Sequence, residues 1–169
     1  MKIAPGNTDF TPLDFVDYPY SHSLVAVLIW GILFGLVHFI IRRNAKNALL
    51  LGALVFSHWL LDSIVHRPDL PLTPWTDFRV GMGMWNSVLA TLIFESLLFL
   101  GGTVLYVRST RTGTAKGRWG FWAMIGFLAI VYILNVIGTP PDAVEPIAIV
   151  GLFQWLIVGW AYWVDRKHC

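Results

Sequence analysis

Five long apolar segments constrain the fold of this chain more than any other feature of its sequence. A bilayer core about 30 Å thick requires roughly 20 apolar residues in a transmembrane helix, and each segment is about that long. Only 13% of the 169 residues are charged, against about 25% in a typical soluble domain. The sequence therefore predicts an all-α, polytopic membrane helix bundle of about five transmembrane helices. The predicted spans are about residues 23–41, 47–65, 85–107, 119–137 and 147–164.

The composition also excludes several other classes of protein. So low a charge density rules out a disordered chain, a nucleic-acid-binding module and an ordinary cytosolic enzyme. The single cysteine, Cys169, excludes a disulfide framework and a cysteine metal site. Residues 1–22 hold three aspartates and three prolines, unlike a signal peptide, and we expect them to form an extracytoplasmic N-terminal segment. Residues 1–169 are expected to be a single integral membrane domain.

The distribution of Lys and Arg predicts the orientation of the helices. Given the five spans, nine of the twelve basic residues lie on the side of the C-terminus and three on the other side. Cytoplasmic loops are enriched in Lys and Arg, so we expect the N-terminus outside, the C-terminus in the cytoplasm, and a bacterial inner (plasma) membrane location. The nine are Arg42, Arg43, Lys46, Arg108, Arg111, Lys116, Arg118, Arg166 and Lys167.

Two carboxylates, Asp62 and Glu95, are the only Asp, Glu, Lys or Arg residues inside the predicted spans. A charge at bilayer depth costs about 2.5–3.5 kcal/mol on insertion scales, which makes such residues functional candidates. Two carboxylates cannot neutralise each other, so either they share a proton or they bind a cation. A rise of about 1.5 Å per residue places Glu95 about 15 Å below the start of its span, near the level of His58.

The spacing of the histidines predicts a metal site in the second span. His58 and Asp62 are four residues apart and share one face of a helix, and His66 extends that face by one more turn. His22 stands at the outer end of the first span. Histidine nitrogens and a carboxylate oxygen suit a divalent metal, Zn²⁺ above all or another first-row ion. The alternative is a His–Asp pair that only forms a hydrogen bond.

Three protein ligands leave one coordination position for water, whose pKa a divalent metal lowers towards neutrality. Glu95 or Asp17 is then the candidate catalytic residue, acting as general base. The alternative for Glu95 is a protonated carboxyl group that forms a hydrogen bond to a neighbouring helix.

Two short segments resemble a known family. Asp17-Tyr-Pro-Tyr-Ser-His22-Ser-Leu and Ser57-His58-Trp-Leu-Leu-Asp62 are similar to motifs of the YdjM-like small multi-pass inner-membrane proteins, which are described as metal-dependent hydrolases. The resemblance covers about residues 12–100 and implies a metal bound by His22, His58 and Asp62. Where the family has an upstream Asp-x-Asp-His element, this chain has Asp14 and Asp17.

These observations favour a metal-dependent hydrolase that acts on a membrane lipid or a lipid-linked ester or phosphoester near the outer leaflet, with residues 66–84 as a lid. A non-enzymatic accessory or scaffold subunit, with a structural metal or none, is the second interpretation. Transport, with Asp62 and Glu95 as proton or cation carriers, is a third interpretation. Haem binding through His38 and His58 is a less favoured hypothesis. A homo-oligomer or a larger membrane complex stays open.

Overall fold

The computed structural model describes residues 1–110 and 113–168, and over these residues the chain is mainly helical. Arg111 and Cys169, which entered the orientation and cysteine arguments, lie outside the described residues. Five helices are long and apolar enough to cross a membrane, which confirms the predicted all-α polytopic architecture. The helices are α1 (Pro19–His22), α2 (Leu24–Arg42), α3 (Ala45–Val65), α4 (Val88–Ser109), α5 (Ala115–Ile137) and α6 (Glu145–His168).

Two short antiparallel hairpins accompany the helices. β1 (Lys2–Ile3) pairs with β2 (Leu13–Asp14), and β3 (Leu70–Pro71) pairs with β4 (Arg79–Val80). Leu70 is fully buried against Val27 and Trp59. The second hairpin is therefore packed on the α2 and α3 helices rather than extended into solvent.

Capping side chains explain where the helices differ from the predicted spans. The third span was expected from residue 85, but residues 84–86 form a 3₁₀ turn and Ser87 accepts a hydrogen bond from the Ala90 amide at 3.3 Å, so α4 begins at Val88. The α5 helix begins four residues earlier than expected, because Thr114 accepts a hydrogen bond from the Gly117 amide at 3.1 Å.

The described chain divides into two compact units, residues 1–91 and 92–168, with the boundary after the first turn of α4. In the first unit, α2 and α3 form a helical hairpin whose connection is only two residues long. Arg43 adopts the left-handed conformation, and Asn44 caps α3 by accepting a hydrogen bond from the Asn47 amide at 3.0 Å. So short a connection makes the two helices antiparallel neighbours. The single membrane domain expected from the sequence stays a prediction.

Small residues bring the backbones of α2 and α3 into direct contact. A Cβ atom on Gly31 would lie 2.9 Å from the carbonyl oxygen of Gly52, and one on Gly35 would lie 2.9 Å from that of Ala48. Gly31 and Gly35 form a small-x-x-x-small pattern, which allows close helix packing in membranes. This close approach brings residues at the α1–α2 junction beside the last turns of α3.

Backbone hydrogen bonds hold the loops of the first unit over one end of this helical hairpin. The Val25 amide donates to the Leu72 carbonyl at 3.1 Å, and the Met82 amide donates to the Ser63 carbonyl at 2.9 Å. Both bonds join a helix to the loop that contains β3 and β4. The loop therefore has a fixed position beside the ends of α2 and α3.

In the second unit, α5 and α6 pack closely against each other. Thr114 donates a hydrogen bond to the Lys167 carbonyl at 3.2 Å, and the rings of Phe127 and Trp160 lie 5.8 Å apart. The α4 helix joins them through Tyr106, whose ring stacks on Phe121 at 4.8 Å.

Candidate metal centre

Three predicted ligands meet beside the end of α3. His22 is the last residue of α1, while His58 and Asp62 lie one turn apart in α3. The Nε2 atom of His58 is 3.2 Å and that of His22 is 3.8 Å from Oδ2 of Asp62. One ligand atom from each residue lies within 4.8 Å of the others. We call His22, His58 and Asp62 the His/Asp cluster.

The central carboxylate oxygen of the cluster lacks a hydrogen bond. Oδ2 of Asp62 is buried, and in the described part of the chain no donor meets it with hydrogen-bonding geometry. An unsatisfied buried acceptor costs about 1–3 kcal/mol, and more when it is charged. Two imidazole nitrogens and this oxygen form a donor set that suits Zn²⁺ or another first-row metal. The residues present therefore fit a divalent cation.

The cluster is open on one side. The side chain of Asp62 is only 14% exposed, whereas that of His58 is 53% exposed. A bound ion would thus be enclosed by the protein more on the Asp62 side than on the His58 side.

The surroundings of His22 favour the form that binds metals. Burial lowers the pKa of its imidazole, and the neighbouring His58 acts in the same direction against the opposing charge of Asp62. A neutral imidazole is the form that coordinates a metal. The Nδ1 atom of His22 lies 2.8 Å from the hydroxyl oxygen of Ser21, and this contact orients the ring with Nε2 towards Asp62.

A partly buried polar network lies next to His22. The ring of Tyr18 meets the ring of His22 edge-on at a centroid distance of 5.0 Å. The Tyr18 hydroxyl donates to Oδ1 of Asp69 at 3.1 Å, and Nε of Arg67 donates to Oδ2 of Asp69 at 3.1 Å. Arg67 also forms an ion pair with Asp14. The network thus joins the N-terminal segment to the loop that follows α3.

The charge state of this network follows from its hydrogen bonds. Burial opposes ionisation of Asp69, but the hydrogen bonds from His66, Arg67 and Tyr18 outweigh that effect and lower the pKa of its carboxyl group. Burial and the negative charge of Asp69 raise the pKa of Tyr18. Asp69 is therefore ionised and Tyr18 neutral at physiological pH.

His66, the fourth predicted ligand, lies in this network and not in the His/Asp cluster. The α3 helix ends at Val65, and His66 has an extended backbone conformation, so it leaves the helix face shared by His58 and Asp62. Its side chain is 4% exposed, and its Nδ1 atom lies 2.9 Å from Oδ1 of Asp69. The structure thus places His66 beside Asp69 rather than in the His/Asp cluster.

Of the two predicted catalytic residues, Asp17 lies outside the cluster, and Glu95 belongs to the other unit. Asp17 is exposed and lines a small polar cavity together with Tyr18 and Arg79. Glu95 belongs to the second unit, where it lines a largely apolar cavity of about 730 Å³ together with Tyr132. A general-base role for either carboxylate stays a prediction.

Tyr18, Arg67 and Asp69 were not identified as site residues from the sequence. The available signal was the scarcity of charge: Arg67 and Asp69 stand two residues apart in a chain with few charges. That spacing does not reveal a common partner, because Tyr18 is 51 residues from Asp69. Only the fold of the loop shows this contact.

One comparison with known proteins returns a match. The family model described as YdjM inner membrane protein matches residues 19–141, which is 123 of the 169 residues. The chain belongs to the YdjM inner membrane protein family. No curated protein and no solved structure matches it.

Membership of the YdjM family agrees with the five apolar helices, and the protein is an integral inner-membrane protein. The match contains all three residues of the His/Asp cluster. It extends beyond residue 100, where the resemblance seen in the sequence ends, and it begins after Asp14 and Asp17.

Proposed function

We propose that the His/Asp cluster binds a divalent metal, with Zn²⁺ as the favoured ion, and that the protein is a metal-dependent hydrolase. The proposed substrate is a membrane lipid or a lipid-linked molecule with an ester or phosphoester bond. The observation that carries the proposal is the buried Oδ2 atom of Asp62, which has two imidazole nitrogens within 4 Å and no hydrogen bond among the described residues.

The chemistry follows from the number and type of ligands. Two histidines and one aspartate are three protein ligands, the number found in catalytic zinc sites that keep a position open for water. A divalent metal bound there would lower the pKa of a coordinated water towards neutrality. His22 and His58 would hold the ion from two different elements, and Ser21 and Tyr18 would fix the orientation of His22.

The position of the cluster favours a substrate at the membrane surface. Asp62 lies three residues before the end of α3 at Val65, which is about 4.5 Å along the helix axis. His22 directly precedes the residue that caps α2. The Asp62 end of the site is therefore close to the lipid head groups, and the excess of basic residues at the opposite helix ends favours the outer leaflet.

Metal analysis of the full chain, purified without chelator, tests the proposal. We expect about one metal ion per chain in the wild type and near-complete loss in His58→Ala and Asp62→Asn, because each variant removes a ligand. The matched control is His38→Ala, which removes a histidine of α2 outside the cluster. Metal-free wild-type protein after exposure to Zn²⁺, Mn²⁺ and Co²⁺, or equal metal in His58→Ala, would refute the site.

Turnover of lipid esters and phosphoesters distinguishes a hydrolase from a scaffold subunit. If the protein is a hydrolase with this site, the His58→Ala variant should lose turnover. The same variant should keep its helix content and its thermal unfolding transition. Loss of folding or of complex assembly, with no turnover by the wild type, would instead favour the structural role.

A further inference from the structure

A second, polar cavity of the first unit lies between the segment before α1 and the loop of the β3–β4 hairpin. Its volume is about 190 Å³, below the roughly 300–1,000 Å³ of cavities that hold drug-sized ligands. It therefore suits a small polar group rather than an acyl chain. Three of its lining residues are prolines, Pro19, Pro71 and Pro74, whose fixed φ angles stiffen its walls.

The charged side chains in this cavity have complementary chemistry for a zwitterion. Asp17, Asp77 and Arg79 all line it, and in the part of the chain that the structure describes none of the three forms an ion pair. Arg79 donates one hydrogen bond, to the Asp69 carbonyl at 3.3 Å, which leaves most of its five donors free. A guanidinium group with free donors suits a phosphate, and two carboxylates suit an ammonium group.

An aromatic residue completes the cation-binding side. Trp75 lines the same cavity, and an indole face attracts ammonium groups. Trp75 is 77% exposed, and Phe78 in the same loop is 64% exposed. Exposed aromatic side chains at the end of transmembrane helices are typical of the membrane–water interface, so the cavity lies at the level of lipid head groups.

The cavity is adjacent to the His/Asp cluster. Tyr18 lines the cavity, and its ring also contacts the ring of His22. A head group held in the cavity would therefore lie next to a residue that contacts the cluster.

We propose that this cavity binds the head group of an amine-containing phospholipid of the phosphatidylethanolamine type. Arg79 contacts the phosphate, and Asp17, Asp77 and Trp75 contact the ammonium group. As a substrate subsite the cavity rests on the proposed function, since it specifies which lipid reaches the metal site, but its binding of a head group can be measured without turnover. Asp17 is then a recognition residue in place of a general base.

The test uses the full chain in phosphatidylglycerol nanodiscs, whose lipid lacks an amine. Calorimetric titration compares soluble glycerophosphoethanolamine with glycerol 3-phosphate. We expect glycerophosphoethanolamine to bind more tightly than glycerol 3-phosphate. The double variant Asp17→Asn/Asp77→Asn should lower the affinity for glycerophosphoethanolamine about tenfold, the factor that corresponds to 1.4 kcal/mol. The matched control, Asp9→Asn, changes an exposed aspartate outside the cavity and should have no effect. Arg79→Lys should lower the affinity for both ligands.

A second arm determines whether the ligand is the lipid itself. Nanodiscs that contain equal phosphatidylethanolamine and phosphatidylglycerol should yield protein with co-purified phosphatidylethanolamine, and the Asp17→Asn/Asp77→Asn variant should lose that enrichment. Binding of the soluble head group without lipid enrichment would refute the lipid as ligand. Equal affinity for the two soluble ligands, or no effect of the double variant, would refute the amine site.

The metal content of the same samples separates the two proposals. Amine-selective binding by a protein that holds no metal would overturn the metal site and leave the head-group site standing. One metal ion per chain, together with equal affinity for the ligands with and without an amine, would support the metal site and overturn the head-group site.

Discussion

At the level of single residues, the His/Asp cluster depends on a carboxylate oxygen that has no hydrogen bond within the described residues. Asp62 and Asp69 are both largely buried acids beside histidines, yet their surroundings differ. Asp69 accepts hydrogen bonds from Tyr18 and Arg67, whereas Oδ2 of Asp62 accepts none in the described chain. The chain thus satisfies the structural aspartate and leaves the other free to bind a cation.

The ionised state of Asp69 makes the stability of the protein dependent on pH. Its carboxyl pKa is lower in the folded protein than the ordinary value, so its stabilising effect is present above about pH 4 and is lost as the pH falls through the lowered pKa. We expect Asp69→Asn to reduce the free energy of unfolding by about 1–3 kcal/mol at pH 7. Chemical denaturation of both proteins in detergent measures the difference.

The difference between wild type and Asp69→Asn should shrink steadily below pH 4. The exposed Asp9, changed to Asn, provides the control and should alter stability by less than about 0.5 kcal/mol at any pH. A difference that stayed constant down to pH 2 would mean that the charge of Asp69 is not what stabilises the network.

The sequence predicted part of this site at the residue level. The four-residue spacing of His58 and Asp62 places both on one helix face, and that relation depends only on helical geometry. His66 could not be placed in this way, because the argument assumed one more helical turn and α3 ends at Val65. The Tyr18–Asp69 contact depends on a loop conformation, which hydrophobic periodicity does not encode.

At the level of helices, close packing of α2 against α3 holds the cluster together. The ligands come from both sides of the α2–α3 contact, with His22 before α2 and two ligands on α3. Gly31 and Gly52 face each other in that contact. The distance between the two helices therefore sets the distance between the ligands.

Gly31→Ala should destabilise the first unit and weaken the metal site. The added methyl group would lie 2.9 Å from the Gly52 carbonyl oxygen, and a backbone atom cannot rotate away. Overpacking of this kind costs about 1–3 kcal/mol. We expect a lower thermal unfolding midpoint in detergent and a lower metal occupancy than in the wild type.

Gly101→Ala is the matched control, because Gly101 is also a glycine of a membrane helix but has open space around its Cβ position. It should leave the unfolding midpoint unchanged or slightly raised, since alanine favours helices more than glycine does. Equal behaviour of the two variants would show that the glycine contact does not position the ligands.

Hydropathy predicted the helices well because a membrane span must satisfy its own backbone hydrogen bonds and be apolar for its whole length. It predicted their ends less well. With its cap at Ser87, α4 begins three residues after the predicted start of the third span. With its cap at Thr114, α5 begins four residues before the predicted start of the fourth span. Local hydrogen bonds to polar side chains decide these boundaries, and hydropathy does not register them.

At the level of the whole molecule, the charge distribution predicts a defined topology. The N-terminus and the loop between α5 and α6 should lie outside, and the loop between α4 and α5 inside. In a Cys169→Ser background, a membrane-impermeant maleimide should label Asp9→Cys and Thr139→Cys in intact spheroplasts. It should reach Gly113→Cys only after the membrane is permeabilised.

The opposite labelling pattern would place the His/Asp cluster at the cytoplasmic surface. The metal proposal would survive that result, because it rests on distances within one unit. The proposed outer-leaflet substrate would not.

The order of the ligands along the chain has a consequence for biosynthesis. His22 precedes α2, and His58 and Asp62 lie in α3, so all three residues of the cluster come before α4, α5 and α6 along the chain. Domains form from the N-terminus as synthesis proceeds, so α2 and α3 can pack and bring the three residues together before α4, α5 and α6 are inserted. Under the proposed function, the metal would then be needed at an early stage of membrane insertion.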